Sequence, residues 1–271
     1  MKNHFWLMGF IALFIASCSQ SQQKKETPAE ANTAPLKADS TQIPPSMTGI
    51  ELAFKAQGNE PFWNVTMDFE KEIVFKTMDG LELHFPAVKG NKAQDAPVTR
   101  YAAETETARI VITIKGEECS DTMADTTYRN SVRVELKQGE ETEYTTYEGC
   151  GNFQPDYKLH DIWVMIEANG DTLDPKDFER KGLPMFEFYS KEERLSGHAG
   201  CNHFNGSFYV AEPGVLQIGM GASTQMMCPN MTIENLVNQK LFGKRMKYKV
   251  ANLRLTLTGY DGSSFVFKKV D

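Results

Sequence analysis

The sequence predicts a mainly β protein: two small antiparallel β-barrel or sandwich-like domains, the second with one packed α-helix. Three observations predict it. Short runs that alternate apolar and polar residues recur from Ile50 to Tyr147, and turn signals such as Asp79-Gly80, Lys89-Gly90-Asn91 and Gln138-Gly139 separate many of them. Leu195 to Phe208 is a glycine-pinched corner: Gly197, Gly200 and Gly206 permit positive φ or close backbone approach, Asn202 and Asn205 suit a tight turn, and Phe204, Phe208 and Val210 alternate as a half-buried strand. Convincing helical spacing occurs once, at Ile233, Leu236, Val237 and Leu241.

Taken in order, the chain opens with an export signal over 1–17. Lys2 supplies a positive start, and Phe5 to Ile15 is an apolar run too short for a permanent membrane span. The run ends in Ile15-Ala16-Ser17-Cys18, the pattern of a bacterial lipobox, so Cys18 is expected to be acylated and to become the mature N-terminus. Two or three acyl chains suffice for stable anchoring, because each buried CH₂ contributes about 0.8 kcal/mol. Ser19 fits outer-membrane sorting by analogy with such lipoproteins. Residues 18–46 are rich in Gln, Lys, Glu, Thr, Ala and Pro, a composition that cannot bury enough apolar surface to offset ordering entropy. They form a lipidated tether with a reach of roughly 30 Å.

The chain has 29 basic and 36 acidic residues, a net charge of −7. That balance argues against nucleic acid as a partner and against a basic membrane-hugging face. The expected first domain, 47–154, shows strands in quick succession and no useful helical period. Within it Gly58-Asn59-Glu60-Pro61-Phe62-Trp63 leads into the strand from Asn64 to Phe69. Trp63 is expected to cap one end of the barrel, the alternative being the floor of a ligand cleft. Asp121 and Asp125 lack the glycine and distal glutamate of a calcium loop and are expected to accept from turn amides. Pro155 marks the boundary, and the second domain spans 158–271. In it a helix is expected from Ile233 to Met246, with Thr232 as N-cap and Lys244, Arg245 and Lys247 at its negative end. Tyr248 to Leu257 and Ser264 to Val270 read as the last two strands of a curved sheet, with the helix plugging an open side.

Two sets of motifs carry family resemblances. The G-x-x-G-C-N-x-F-x-G core at Gly197 to Gly206, followed by T-x-M-x-C at Thr224 to Cys228, resembles the META domain of HslJ-type bacterial lipoproteins over roughly residues 159 to 271. The first domain resembles a family of bacterial envelope proteins with an EPFW-type start, a C-x-D-x-M-x-D-x-x-Y loop from Cys119 to Tyr128 and a closing pair at Gly149-Cys150. With Cys18 assigned to lipid, four cysteines remain, and an exported chain with an even remainder reads as two disulfides. Three pairings are open; both resemblances imply Cys119–Cys150 and Cys201–Cys228. The META resemblance further implies an envelope-stress or antibiotic-tolerance context without naming a ligand.

The chemistry that remains is sparse. The sequence has no G-x-S-x-G, no H-E-x-x-H, no phosphate loop and no Rossmann glycine pattern, so a non-enzyme without cofactor is expected. Trp63, Asn202 and His203 are the candidate binding residues. The leading expectation is a lipid-anchored envelope module that binds an envelope protein or a small hydrophobic compound, on the outer membrane. The alternative is a periplasmic copper- or zinc-binding lipoprotein that uses His198, His203, Met226 and Met227, soft and borderline ligands gathered at one corner. Methionines beside a strand end are more often core filler, and bonded cysteines are lost as ligands.

Overall fold

The computed structural model of the chain describes residues 53–121, 125–178 and 181–270. The expected signal over 1–17, Cys18 and the tether over 18–46 lie outside the described residues, as does Met123 of the first-domain loop. In chain order the strands of the first half are β1 (Ala53–Asn59), β2 (Phe62–Asp68), β3 (Glu72–Thr77), β4 (Glu82–Pro86), β5 (Asn91–Lys92), β6 (Val98–Glu104), β7 (Ala108–Lys115), β8 (Cys119–Asp121), β9 (Thr126–Tyr128), β10 (Asn130–Gln138) and β11 (Thr145–Phe153). Those of the second half are β12 (Asp161–Ala168), β13 (Asp171–Thr172), β14 (Met185–Tyr189), β15 (Arg194–His198), β16 (His203–Glu212), β17 (Val215–Ile218), β18 (Ala222–Ser223), β19 (Arg245–Ala251), β20 (Arg254–Gly259) and β21 (Ser264–Lys269), with one helix, α1 (Thr232–Lys240), between β18 and β19.

The first half curls into a half-barrel, strand order β4-β3-β2-β1-β11-β10-β7-β6-β5. Alternation sets which side faces in: Val132, Val134 and Leu136 of β10 are buried, and Val134 sits opposite Ile112 on β7 and Tyr147 on β11. Aromatic rings fill the hollow. Phe75 lies between Trp63 (5.9 Å) and Tyr147 (5.1 Å), and Phe54 meets Phe153 edge-on at 4.9 Å. β8 and β9 form a separate ribbon that the Cys119–Cys150 disulfide ties to β11.

In the second half β12 pairs with β14 on one side and β21 on the other, closing an eight-stranded antiparallel barrel. The open side expected from the sequence is therefore absent here, because the first and last long strands complete each other's backbone hydrogen bonds. Trp163, Phe186, Phe188, Phe208, Phe265 and Phe267 fill the barrel. The Trp163 indole donates to the Leu159 carbonyl at 2.9 Å, so its one polar atom is satisfied inside.

The helix is shorter than expected. Apolar residues continue at helical spacing through Leu241 and Phe242, but Gly243 takes φ +72° and turns the chain into β19, which places Arg245 and Lys247 on a strand and leaves Lys240 as the basic residue of the last turn. The N-cap is Met231 rather than Thr232, and the Asn230 side chain accepts from the Thr232 amide at 3.0 Å. The expected strand from Tyr248 to Leu257 is instead a hairpin, β19–β20, whose two turn residues Asn252 and Leu253 both have positive φ, +53° and +57°. Leucine at the second turn position conceals the turn from a sequence reading.

The two halves belong to one compact unit. The Arg129 guanidinium, beside β9, forks onto the Glu193 carboxylate and stacks on Tyr209 of β16 at 4.2 Å. Lys92 reaches Glu212 at 2.7 Å. The connecting Asp156 is buried; it caps the short 3₁₀ turn Tyr157–Leu159 and accepts from the Tyr248 hydroxyl at 2.9 Å. Burial, then that carboxylate, pushes the Tyr248 hydroxyl pKa far above its ordinary value.

Candidate functional site: the disulfide corner of the closed barrel

The corner is built where β15 hands over to β16. Gly197 runs so close to β14 that a Cβ there would meet the Met185 carbonyl oxygen at 2.0 Å, and Gly200 holds φ +117°. The turn between them carries Ala199, Cys201 and Asn202 inward, all buried. Cys201 then bonds Cys228 across the segment, Cα–Cα 6.0 Å, closing a span of 27 residues.

A buried carboxylate organises the turn. Glu234, on the first turn of α1, is 5% exposed. Its Oε2 accepts from the backbone amides of Cys201 (3.1 Å) and Asn202 (2.7 Å), and its Oε1 accepts from Asn202 Nδ2 (2.6 Å). Asn202 Nδ2 also donates to the Met226 carbonyl at 3.0 Å, while Asn202 Oδ1 accepts from Thr224 Oγ1 (2.8 Å) and the Met226 amide (2.6 Å). The asparagine amide is thus engaged at both ends, and it fastens the loop before α1 to the turn. All three groups facing Glu234 are donors, which only an acceptor-only side chain satisfies in full.

Among the expected site residues, Asn202 is consumed by this network and positions the corner. His203 is exposed, and its backbone amide donates to Thr224 Oγ1. His198, its cross-strand register partner, is 5% exposed with ring centroids 5.9 Å apart. The Nδ1 of His198 is buried without a hydrogen-bond partner, and so is the Nζ of Lys181 in the loop before β14. Burial, then His203 and Lys181, holds the His198 pKa below its ordinary value, so the ring is neutral at pH 7. Met226 is half-exposed and Met227 is 91% exposed. Beside them Lys176, Asp177, Phe178, Gly200, Met227, Cys228, Pro229 and Asn230 line a cavity of about 370 Å³. Among the described residues no group of three His, Cys, Asp or Glu side chains is arranged to hold a metal ion.

Trp63 lies elsewhere, buried in the half-barrel, with its indole N–H donating to the Glu148 carbonyl at 3.2 Å. It forms the inner wall of a shallow cavity of about 410 Å³ rimmed by the exposed Phe62 and Met78. Asp121 is buried and accepts from Asn59 Nδ2.

Sequence reasoning missed Glu234 and Lys181. Glu234 sits beside the apolar stripe of α1 and reads there as an ordinary first-turn acid facing the helix dipole. Lys181 lies in a loop without a motif, and no pattern in the sequence singles it out.

Residues 159–271 match the META domain family. A solved structure titled "NMR structure of the protein" is 24% identical, with the similarity covering 41% of this chain and 90% of that one at a TM-score of 0.34. No curated protein matches the chain.

Proposed function

We propose that this chain is an exported, lipid-anchored, non-enzymatic module of the bacterial cell envelope, and that it binds through the disulfide corner of its META barrel. The observation that carries the binding reading is the cavity beside Cys201–Cys228, with exposed Met227 and Pro229 set on a turn that Glu234 and Asn202 hold rigid. Methionine-lined, well-supported surfaces accept apolar partners of varied shape. Two disulfides, one in each half, suit an oxidising compartment. Anchoring through Cys18, outer-membrane sorting through Ser19 and a role under envelope stress belong to the same reading.

Two measurements test it. Palmitate labelling of the full-length chain, compared with Cys18→Ser, is expected to show label and membrane retention only with the cysteine; equal retention of both refutes the anchor. A photo-crosslinker at Met227 is expected to capture a discrete envelope component, where one at Leu253, exposed on the β19–β20 hairpin, does not. Identical capture patterns from the two positions refute the binding corner.

A second reading, copper or zinc binding, has the His198–His203 ring pair in its favour. Against it, both nearby cysteine sulfurs are bonded to each other. Cu(I) or Zn²⁺ titration that leaves the His198 and His203 ring resonances unmoved eliminates it.

A further inference from the structure

Charge is unevenly placed in this molecule. The whole chain carries −7, yet from Lys240 to Asp271 eight basic side chains stand against two acidic ones. That stretch builds β19, β20 and β21, three adjacent strands of the closed barrel. Alternation sends Met246, Leu255, Leu257, Phe265 and Phe267 inward and leaves the intervening residues outward. The outward set holds Arg245, Lys247, Lys249, Arg254 and Lys268, all exposed, and no carboxylate. The adjoining strand β12 adds one acid, Glu167, in register with Val266, and the face stays positive. A net charge that argues against a basic membrane-facing surface therefore conceals one.

These cations find few counter-charges within the chain. Lys240 pairs with Asp261 at 3.0 Å, Lys269 pairs with Asp161, and Arg245 reaches Glu212 only at 4.0 Å. Among the described residues Lys249, Arg254 and Lys268 form no ion pair. Arg254 and Lys268 are register partners across β20–β21, so like charges face each other where opposite charges would stabilise the pair. Lys249 lies one diagonal step from Arg254 on β19. An external anion relieves that repulsion. Exposed apolar side chains flank the cations at both ends of β20. Leu253, 56% exposed on the turn before Arg254, accepts at its carbonyl from the Lys269 amide, which sets it beside Lys268 and the exposed Val270. An exposed leucine at φ +57° is unfavourable on both counts for the barrel alone. At the other end the exposed Tyr260 ring lies 5.2 Å from the Lys247 ammonium. Cations that reach phosphates, a tyrosine with an apolar body and a wet tip, and a leucine on a projecting turn match the layers of a lipid–water interface. A soluble polyanion calls for the cations alone.

We propose that the outward face of β19–β21 docks on an anionic lipid surface, with Lys249, Arg254 and Lys268 against phosphate headgroups and Leu253 entering the acyl boundary. The remainder of the chain is more acidic than the whole, so the same surface repels it and orients the barrel with this face down. Docking of this kind depends neither on acylation at Cys18 nor on the disulfide corner.

The test uses the chain from Ser19 onward, exported under a cleavable signal so that neither leader nor lipid adds to binding. It is sedimented with vesicles of phosphatidylcholine alone and with vesicles containing about one-third phosphatidylglycerol. Expected is binding to the anionic vesicles roughly tenfold or more above that to the neutral ones, falling as salt is raised. A variant carrying Lys249→Gln, Arg254→Gln and Lys268→Gln should bind about a hundredfold more weakly, since each cation near such a surface contributes about fivefold. A control carrying Lys55→Gln, Lys89→Gln and Lys191→Gln loses the same charge from exposed positions off this face and should stay within about twofold of the native chain. Leu253→Ser should weaken vesicle binding roughly threefold or more while leaving binding to heparin, a polyanion without an apolar layer, unchanged. Equal binding to neutral and anionic vesicles, or binding to neither, overturns the proposal, and this comparison needs no variant. Equal weakening in the two triple variants overturns the face in favour of net charge. Vesicle binding that Leu253→Ser leaves intact overturns the lipid surface in favour of a soluble polyanion.

Discussion

Replacing Glu234 by Gln is the sharpest perturbation of the corner, because it keeps shape and removes charge. The carboxylate accepts three hydrogen bonds, two from the amides of Cys201 and Asn202 and one from Asn202 Nδ2. A glutamine oxygen can keep the two backbone donors as neutral bonds, at a loss of about 1 kcal/mol each. Its NH₂ then faces Asn202 Nδ2, donor against donor. Rotating Asn202 offers no relief, since Oδ1 already accepts from Thr224 and the Met226 amide and Nδ2 donates to the Met226 carbonyl. The third contact therefore becomes an unsatisfied buried pair costing a further 1 kcal/mol or so, and the total is about 3 kcal/mol. Urea unfolding followed by near-UV circular dichroism should show the midpoint falling by about 1 M with an unchanged slope. Glu234→Ala strands all three donors and should cost more, about 3–5 kcal/mol. The reasoning fails if Glu234→Gln lies within about 0.5 kcal/mol of the native chain, or if Glu234→Ala is no worse than Glu234→Gln.

Three other outcomes are expected. Replacing Cys201 and Cys228 together by Ser should cost about 3.5 kcal/mol for a 27-residue span, and the Cys119/Cys150 pair, separated by 31, should cost nearly the same; a loss below 1 kcal/mol in urea melts refutes the clamp. Leu253→Gly should stabilise the barrel by up to about 1 kcal/mol, because an exposed leucine at φ +57° gives way to a residue at ease there, and a lowered melting midpoint contradicts this. His198 has a folded pKa held below the unfolded value of 6.5, so the unfolded chain binds the extra proton first. The stability from keeping the ring neutral is complete above pH 6.5 and is lost as pH falls through that value toward the lower folded pKa. The stability difference between the native chain and His198→Gln should therefore shrink from pH 7.5 to pH 5; a difference that stays flat or grows on acidification refutes it.

How far the sequence discloses this fold depends on how local each feature is. Alternation at Val132, Val134 and Leu136 marks a strand because its period of two is written in adjacent residues. Closure of the barrel is not written that way. It rests on β12 meeting β21, about a hundred residues apart, and neither strand differs in composition from one at an open edge. Leu241 and Phe242 prolong the helical spacing past the true end of α1, since both are buried for reasons of the core rather than of the helix. The corner shows the same division within one motif. Its glycines, asparagine and cysteines are legible as a clamped turn, while the acceptor that completes the turn, Glu234, arrives from 32 residues further along the chain. That division bears on function. Asn202, the most motif-like polar residue, has every amide atom engaged in holding the turn and none left over for a ligand. Two polar atoms at this end of the barrel stand outside that network, Lys181 Nζ and His198 Nδ1, both buried without a hydrogen-bond partner. The motif therefore marks a scaffold, a turn whose polar groups are spent on one another.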